Sequence, residues 1–479
     1  MILRIALAAG LLLSACGDAP DDRRPNFLIV VGDDIGVEQL ASFGIGAAPA
    51  RTPHLDALAR RGIQFSRTWA QPMCSPTRAT LLTGRFGFRT GVGSAVGPQA
   101  RGPYPGPDDP EIGPLAPRPG ARPEALENLA EVFQTLGQYR RGSGIPPVTY
   151  GITRDELTLP ALLAAGPDGY DTAAFGKWHL GDQTNGWLDH PAVTGFDHFS
   201  VTMLNQPESY YAWYENVNGR LEARSGYAPA RKVDDAIEWI GARDENPWFL
   251  WLAFSLPHFP HHVPEVQGLD TSGVGRDDAR AAVDSMTARM DEELGRLLAA
   301  IAPDDLENTV VVFVGDNGTT GEAIDPPFRS DRAKFTLYEG GLRVPLVIAG
   351  PGIPEGATST ALVNTTDLFT TVLDLAGVAP PTARPTDSNS LTHYFRNPQA
   401  PTARGFAYAD AFFGASGVEE GAFAARDDRY KLIRWHDRQE LYDLASDPYE
   451  SRDLLADGVS GDEQAAIVRL EQIVEELRR

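Results

Sequence analysis

Two cysteines in 479 residues leave no disulfide framework to hold this fold. Positive charge is scarce as well: 42 Lys and Arg stand against 65 Asp and Glu, a net charge of −23. Phosphate backbones need a basic face, so nucleic acid is excluded as a partner. The chain has no internal repeat, which removes solenoids and propellers. The apolar run Ile5 to Leu13 is too short to hold a helix across a bilayer. What is present is 42% hydrophobic residues with 48 Gly and 38 Pro, the composition of a globular, loop-rich enzyme. Length suggests two or three domains. The acidity reads as a solvated surface that keeps the chain in solution. An anionic ligand would then need a local basic pocket, with salt screening the distant charge.

The apolar runs inside the chain are short and continuous, as in strands buried on both faces of a parallel sheet. Asn26 to Val31, Thr172 to Phe175, Trp248 to Phe254 and Thr309 to Val314 are of this kind, and Val344 to Ile348 adds another. Polar constellations follow the first four at their carboxyl ends, where open α/β sheets bind ligands. Apolar spacing places helices at His54 to Gly62, Ala281 to Ala300 and Asp367 to Ala376. Beyond about Thr402 the pattern becomes short strands at Phe406–Tyr408, Gly421–Ala425 and Tyr430–Trp435. Glu440 to Leu444 then precedes a final helix over Gln464–Leu477. The expected fold is α/β, a large mixed, mostly parallel sheet flanked by helices. A smaller C-terminal α+β domain with a short antiparallel sheet completes it. The boundaries fall at 26–401 and 402–479.

The chemistry-bearing residues sit at those strand ends. Asp33, Asp34, Asp316 and Asn317 are hard oxygen donors with no His or Cys among them, a set suited to Ca²⁺, with Mg²⁺ as the alternative, rather than zinc. Helix capping is the plainer account of such pairs. Cys74-Ser75-Pro76-Thr77-Arg78 opens a helix that Gly84 stops, which puts the cysteine at a helix N-terminus where negative charge is favoured. Spacing alone leaves two readings open, a small buried cysteine or a nucleophile.

Cys-x-Pro-x-Arg followed by Leu81-Leu82-Thr83-Gly84-Arg85 resembles the signature of the type I sulfatases, members of the alkaline phosphatase superfamily. Asn26 through Asp34, Gly176 through Gly181, Pro257-His258, Gly315 through Gly318 and Lys334 through Pro345 match that family in order. The resemblance covers nearly the whole mature chain. It implies a sulfuric ester hydrolase of arylsulfatase type in which a formylglycine-generating enzyme converts Cys74 to Cα-formylglycine. It also implies that Asp33, Asp34, Asp316 and Asn317, together with the oxygen at position 74, hold one Ca²⁺. Arg78 and Lys177 would hold and activate the aldehyde hydrate, and Lys334 and Lys177 would face the sulfate. In the implied reaction one hydroxyl of the hydrate attacks sulfur while His258 gives the departing alcohol its proton. The second hydroxyl, deprotonated with help from His179, then expels sulfate. His261 and His262 have no family counterpart to rely on. Glu339 to Pro345 reads as structural. Tyr210 to Tyr214 is an aromatic cluster, for which core packing is the leading account and stacking on a sugar ring the second.

Leu13-Ser14-Ala15-Cys16 resembles a bacterial lipobox. Residues 1–15 would then be a signal peptide, Cys16 the lipidated N-terminus and 16–25 a tether. The protein would be exported, as a periplasmic or outer-membrane lipoprotein of a Gram-negative bacterium that meets the membrane only through its lipid. Cleavage near Ala15 by an ordinary signal route would instead give a soluble periplasmic form. A long insertion at about 94–150 is either a surface excursion or a wall of the substrate site. Within it, Glu124 to Arg141 has helical spacing. The expected substrate is a sulfated carbohydrate or oligosaccharide, with aryl sulfates also turned over. A phosphoester hydrolase would favour a Ser or Thr nucleophile and two zinc ions. A non-catalytic sulfated-glycan binder should have lost one of Cys74, Arg78, His179 or His258.

Overall fold

A computed structural model describes residues 23–96, 151–182, 185–204, 209–243, 246–270, 273–275, 278–412, 421–435 and 438–479. The signal segment, Cys16 and the helix expected over Glu124–Arg141 lie outside the described residues.

The chain runs through β1 (Asn26–Gly32), α1 (Pro53–Arg60), β2 (Gly62–Trp69), α2 (Cys74–Thr83), β3 (Asp171–Lys177) and β4 (His198–Thr202). Then come β5 (Ala212–Val217), β6 (Arg220–Ser225), α3 (Ala228–Gly241), β7 (Trp248–Ala253), α4 (Ala279–Ala300) and β8 (Thr309–Gly315). After these follow β9 (Arg343–Val344), β10 (Leu346–Ala349), β11 (Ala357–Asn364) and α5 (Asp367–Ala376). One sheet has the order β11-β2-β10-β8-β1-β7-β3-β4-β5-β6, with β9 on β2. Its centre, β8-β1-β7-β3-β4, is parallel throughout.

Side chains of β1 alternate between two cores, which is why the strand is apolar at every position. Phe27, Ile29 and Val31 pack with Leu81 and Leu82 of α2 and with Leu368 and Phe369 of α5. Leu28 and Val30 pack on the other face with Leu55 of α1, Val233 of α3 and Met286 and Leu294 of α4. The continuous strand expected over Val344–Ile348 is broken. Pro345 has no N–H to give a ladder, and the pairing on β2 slips by one residue between Thr68↔Val344 and Gln64↔Val347. The sequence reading missed β2 altogether, along with the hairpin β5–β6, whose outer strand is largely exposed and polar.

The second sheet is an antiparallel meander of β12 (Ala407–Ala411), β13 (Ala422–Arg426), β14 (Tyr430–Arg434) and β15 (Gln439–Asp443). One face packs against Trp69, Leu337 and Leu342, and the other is covered by α6 (Gly461–Arg478). A buried ionic group closes the seam. Glu339 accepts from Trp69 Nε1 (3.0 Å), Lys431 (3.3 Å) and Arg426 (3.5 Å), and Lys431 also pairs with Glu450 (2.7 Å).

Candidate functional site

Four strand ends and one helix start converge on a single buried cluster. β1 delivers Asp33 and Asp34, β8 delivers Asp316 and Asn317, β3 delivers Lys177 and His179, and the turn after β7 delivers His258. Cys74 is the first residue of α2, and Gly84 in the left-handed region (φ 66°) ends that helix as the sequence suggests. All ten residues of α2 are buried, so the polar ones are held by partners rather than by water. Lys334 arrives on the loop beyond β8, where its N–H donates to the Thr319 carbonyl (3.0 Å).

The cluster alternates in charge. Lys177 Nζ donates to both oxygens of Asp33 (3.0 and 2.8 Å). Arg78 grips Asp316 through Nε (3.0 Å) and a terminal nitrogen (2.8 Å), and donates to the Lys177 carbonyl (2.7 Å). Lys334 Nζ pairs with Asp34. Three carboxylates therefore meet three cations. Burial pushes the Asp33 carboxyl up, but Lys177 foremost among its neighbours outweighs that and holds it well below the usual range. For Asp316, burial and then the adjacent Asp33 win, and its carboxyl is pushed well up. Two carboxylates that repel in this way are relieved by a cation between them.

Asp34 Oδ2 and Asn317 Oδ1 are buried and have no hydrogen-bond donor among the described residues. The Asn317 amide is oriented by its Nδ2 donating to Asp34 Oδ1 (2.9 Å) and to the Gly318 carbonyl (3.0 Å), which leaves Oδ1 as the acceptor still unbonded among the described residues. Reactive atoms of Asp33, Cys74 and Asp316 lie within 4.8 Å of one another, as do those of Asp33, Asp34 and His258. Unsatisfied oxygen acceptors amid acidic side chains are the donor set of a hard divalent cation, and the residues fit one.

Two histidines flank the cluster. His179 Nε2 lies 2.8 Å from the Val96 carbonyl and must carry the proton there, which leaves Nδ1 as an acceptor 3.3 Å from Cys74 Sγ. Burial, then Lys177 and Arg78, hold this imidazole well below its ordinary pKa. His258 Nδ1 donates to the Phe259 carbonyl (2.8 Å), so Nε2 is the nitrogen left for chemistry. Burial, and next Lys177, bring His258 down to about 3. Sequence reasoning missed the supports. Ser75 donates to the His179 carbonyl (2.7 Å) and accepts from Val96 N–H (3.0 Å), fixing the histidine and its partner together. Tyr210 donates to the carbonyl of His258 (2.7 Å). Ser75 lay inside the motif and Tyr210 inside the aromatic run, yet neither pattern names the carbonyl it reaches.

Every site residue expected from 33 to 334 thus lies in this one place. A single cysteine, a buried carboxylate group ringed by cations and two restrained histidines at the ligand edge of an α/β sheet define an enzyme for a small oxyanion ester. The sulfatase family profile matches residues 25–378, and the profile for the C-terminal region of N-sulphoglucosamine sulphohydrolase matches 332–479. The N-acetylgalactosamine-6-sulfatase of Canis lupus familiaris is 30% identical over 426 residues, spanning 81% of this chain and 68% of that protein. The ulvan-active sulfatase of Formosa agariphila is 25% identical over 484 residues, spanning 94% and 82%. The crystal structure of Ps i-CgsB in complex with k-i-k-neocarrahexaose superposes with a TM-score of 0.72 at 22% identity, over 95% of this chain and 93% of that one. The chain belongs to the sulfatase family, and it is a hydrolase of sulfate esters.

Proposed function

We propose that this sulfatase releases inorganic sulfate from a sulfated carbohydrate, and from aryl sulfates, at a Cα-formylglycine made from Cys74. The observation that carries the reading is the position of Cys74, 3.3 Å from His179 Nδ1 and within 4.8 Å of the carboxylates of Asp33 and Asp316. The relatives named for galactosamine sulfate and ulvan support a carbohydrate. A hydrated aldehyde there would supply an oxygen nucleophile and a second hydroxyl for releasing sulfate. Asp33, Asp34, Asp316 and Asn317, with the oxygen at position 74, would hold Ca²⁺, which supplies polarisation of a sulfate oxygen. Three carboxylates and three cations cancel, so a divalent ion leaves the site net positive for an anionic ester.

The chain's own residues do the rest. Lys177 and Lys334 face the ester oxygens and neutralise them, while Arg78 locks Asp316 and the Lys177 backbone in place. His179, its Nε2 proton committed to Val96, accepts a proton at Nδ1 from the group at position 74. His258 offers Nε2 to the leaving oxygen. It is neutral when no anion is present, and the ester's negative charge favours the protonated imidazole it needs as an acid. The N-terminal segment fits export, with Cys16 lipidated and the enzyme held at the envelope of a Gram-negative cell. A formylglycine-generating enzyme is then the required partner.

Two measurements on protein from its own host test this. The peptide holding position 74 should be lighter than the cysteine form by about 18 daltons, the exchange of sulfur and two hydrogens for oxygen. Sulfate should be released from N-acetylgalactosamine 6-sulfate, from ulvan or carrageenan oligosaccharides, or from several of these. An unmodified thiol in matured protein, or no release from any of them, overturns the reading. The mass of the N-terminal peptide decides between a diacylglyceryl Cys16 and a plain cleaved end.

A further inference from the structure

The loop after β7 sets two adjacent histidines side by side with opposite fates. His262 is fully engaged. Its Nδ1 lies 3.1 Å from the Pro260 carbonyl, its Nε2 3.1 Å from the Tyr227 hydroxyl, and its ring 4.4 Å from that of Tyr210. The Tyr210 hydroxyl in turn shares its one proton between the carbonyls of Ser255 and His258. Tyr210, Tyr227 and His262 are therefore the scaffold of the His258 loop.

His261 takes no part in that scaffold. Its Nε2 is buried and has no hydrogen-bond partner among the described residues. Glu322, and after it Asp34 and Lys334, lie near enough to act on its ring through their charge. Asp34 and Lys334 belong to the catalytic cluster. Glu322 is exposed, on the loop that runs from Asn317 to Lys334. The imidazole thus lies within electrostatic reach of the ester-handling groups and of an exposed outer carboxylate. A buried ring nitrogen left without a partner is costly unless a bound molecule supplies one. Sugar hydroxyls both donate and accept, and an imidazole nitrogen beside a carboxylate can bond two of them at once.

We infer that His261 and Glu322 form the recognition site for ring hydroxyls of the leaving sugar, an assignment that rests on the carbohydrate reading above. His261 Nε2 bonds the hydroxyl nearest the ester, and the Glu322 carboxylate accepts from one further out. A simple aryl leaving group has no hydroxyls to place there. These residues therefore set selectivity for carbohydrate over aryl sulfates.

The test is steady-state kinetics of the full-length, matured enzyme and of H261A, H261Q and E322Q. The probes are N-acetylgalactosamine 6-sulfate, ulvan and carrageenan oligosaccharides, and para-nitrophenyl sulfate. For H261A the ratio of carbohydrate to aryl sulfate kcat/KM should fall by about tenfold or more, because a site built to bond a hydroxyl loses that bond. The fall should lie in KM for the carbohydrate. H261Q, which keeps a hydrogen-bonding group, should recover part of it, and E322Q should lower the ratio by a smaller factor. An unchanged ratio in H261A, or equal losses on both substrate types in both His261 variants, overturns the assignment. Wild-type enzyme that hydrolyses no carbohydrate overturns the proposed function and this inference together. Wild-type turnover of a sugar with an unaltered H261A ratio overturns this inference alone.

Discussion

Stripping the divalent ion from the purified enzyme should lower its melting temperature by an amount the structure sets. Asp34 Oδ2 and Asn317 Oδ1 are buried without donors among the described residues, and each such atom costs about 1 to 3 kcal/mol. An ion that satisfies both therefore recovers about 2 to 6 kcal/mol, a range that mass action reaches when the ion stands at a thousand times its dissociation constant. Unfolding entropy of about 2.1 cal/mol/K per residue, applied to 479 residues, gives about 1 kcal/mol for each degree near the midpoint. Chelation should then lower Tm by about 2 to 6 °C, and added ion should restore it. The assay is thermal unfolding at constant ionic strength with EDTA, then with excess Ca²⁺ or Mg²⁺. Calcium should restore more than magnesium, since a crowded all-oxygen site suits the larger, more tolerant ion. In N317A, which removes one of the two unsatisfied acceptors, the ion-dependent shift should shrink. Identical melting curves with EDTA and with Ca²⁺ for the unaltered protein would refute the reading of these oxygens as metal ligands.

Three other outcomes are expected. H258A should lower kcat on a sulfated sugar by about 10² to 10⁴, the worth of a general acid, and much less on para-nitrophenyl sulfate, whose leaving group needs little protonation; equal losses would remove His258 from that role. E339Q leaves buried Arg426, 4% exposed, without its carboxylate, and should cost about 3 to 5 kcal/mol in urea unfolding; an unshifted midpoint would show that the seam between the sheets does not depend on that charge. His190 accepts from Trp178 Nε1 (2.9 Å) and sits 2.8 Å from the Ile152 carbonyl, and burial brings it from 6.5 down to about 4. Because the folded pKa lies below the unfolded one, the neutral ring's contribution is complete above pH 6.5 and is lost as pH falls through about 4. That is roughly 3 kcal/mol at 1.36 kcal/mol per unit. H190Q should flatten the acid limb of unfolding free energy against pH, and a limb unchanged by H190Q would contradict it.

Composition and local pattern determined a good deal by themselves. Continuous apolar runs at Asn26, Thr172, Trp248 and Thr309 marked buried parallel strands because both faces of such strands are covered. Asp33, Lys177, His258 and Asp316 fell just beyond them because strand ends are where an open sheet leaves backbone and side chains free. Pro76 and Gly84 bracketed α2 for reasons of backbone geometry alone.

Tertiary structure decided the rest. β2 has polar residues at half-buried positions, and its place between β10 and β11 depends on partners 280 or more residues away. Pro345 interrupts what read as one strand, and only the pairing on β2 reveals the slip. Which cation grips which carboxylate, which histidine nitrogen is committed to a carbonyl, and that His261 Nε2 lacks a partner among the described residues while both ring nitrogens of His262 are engaged, are facts of packing. Residues up to 300 apart meet in the site, as Lys334 and Asp34 do. No local pattern encodes such a distance, because it is set by how the sheet closes around its two cores.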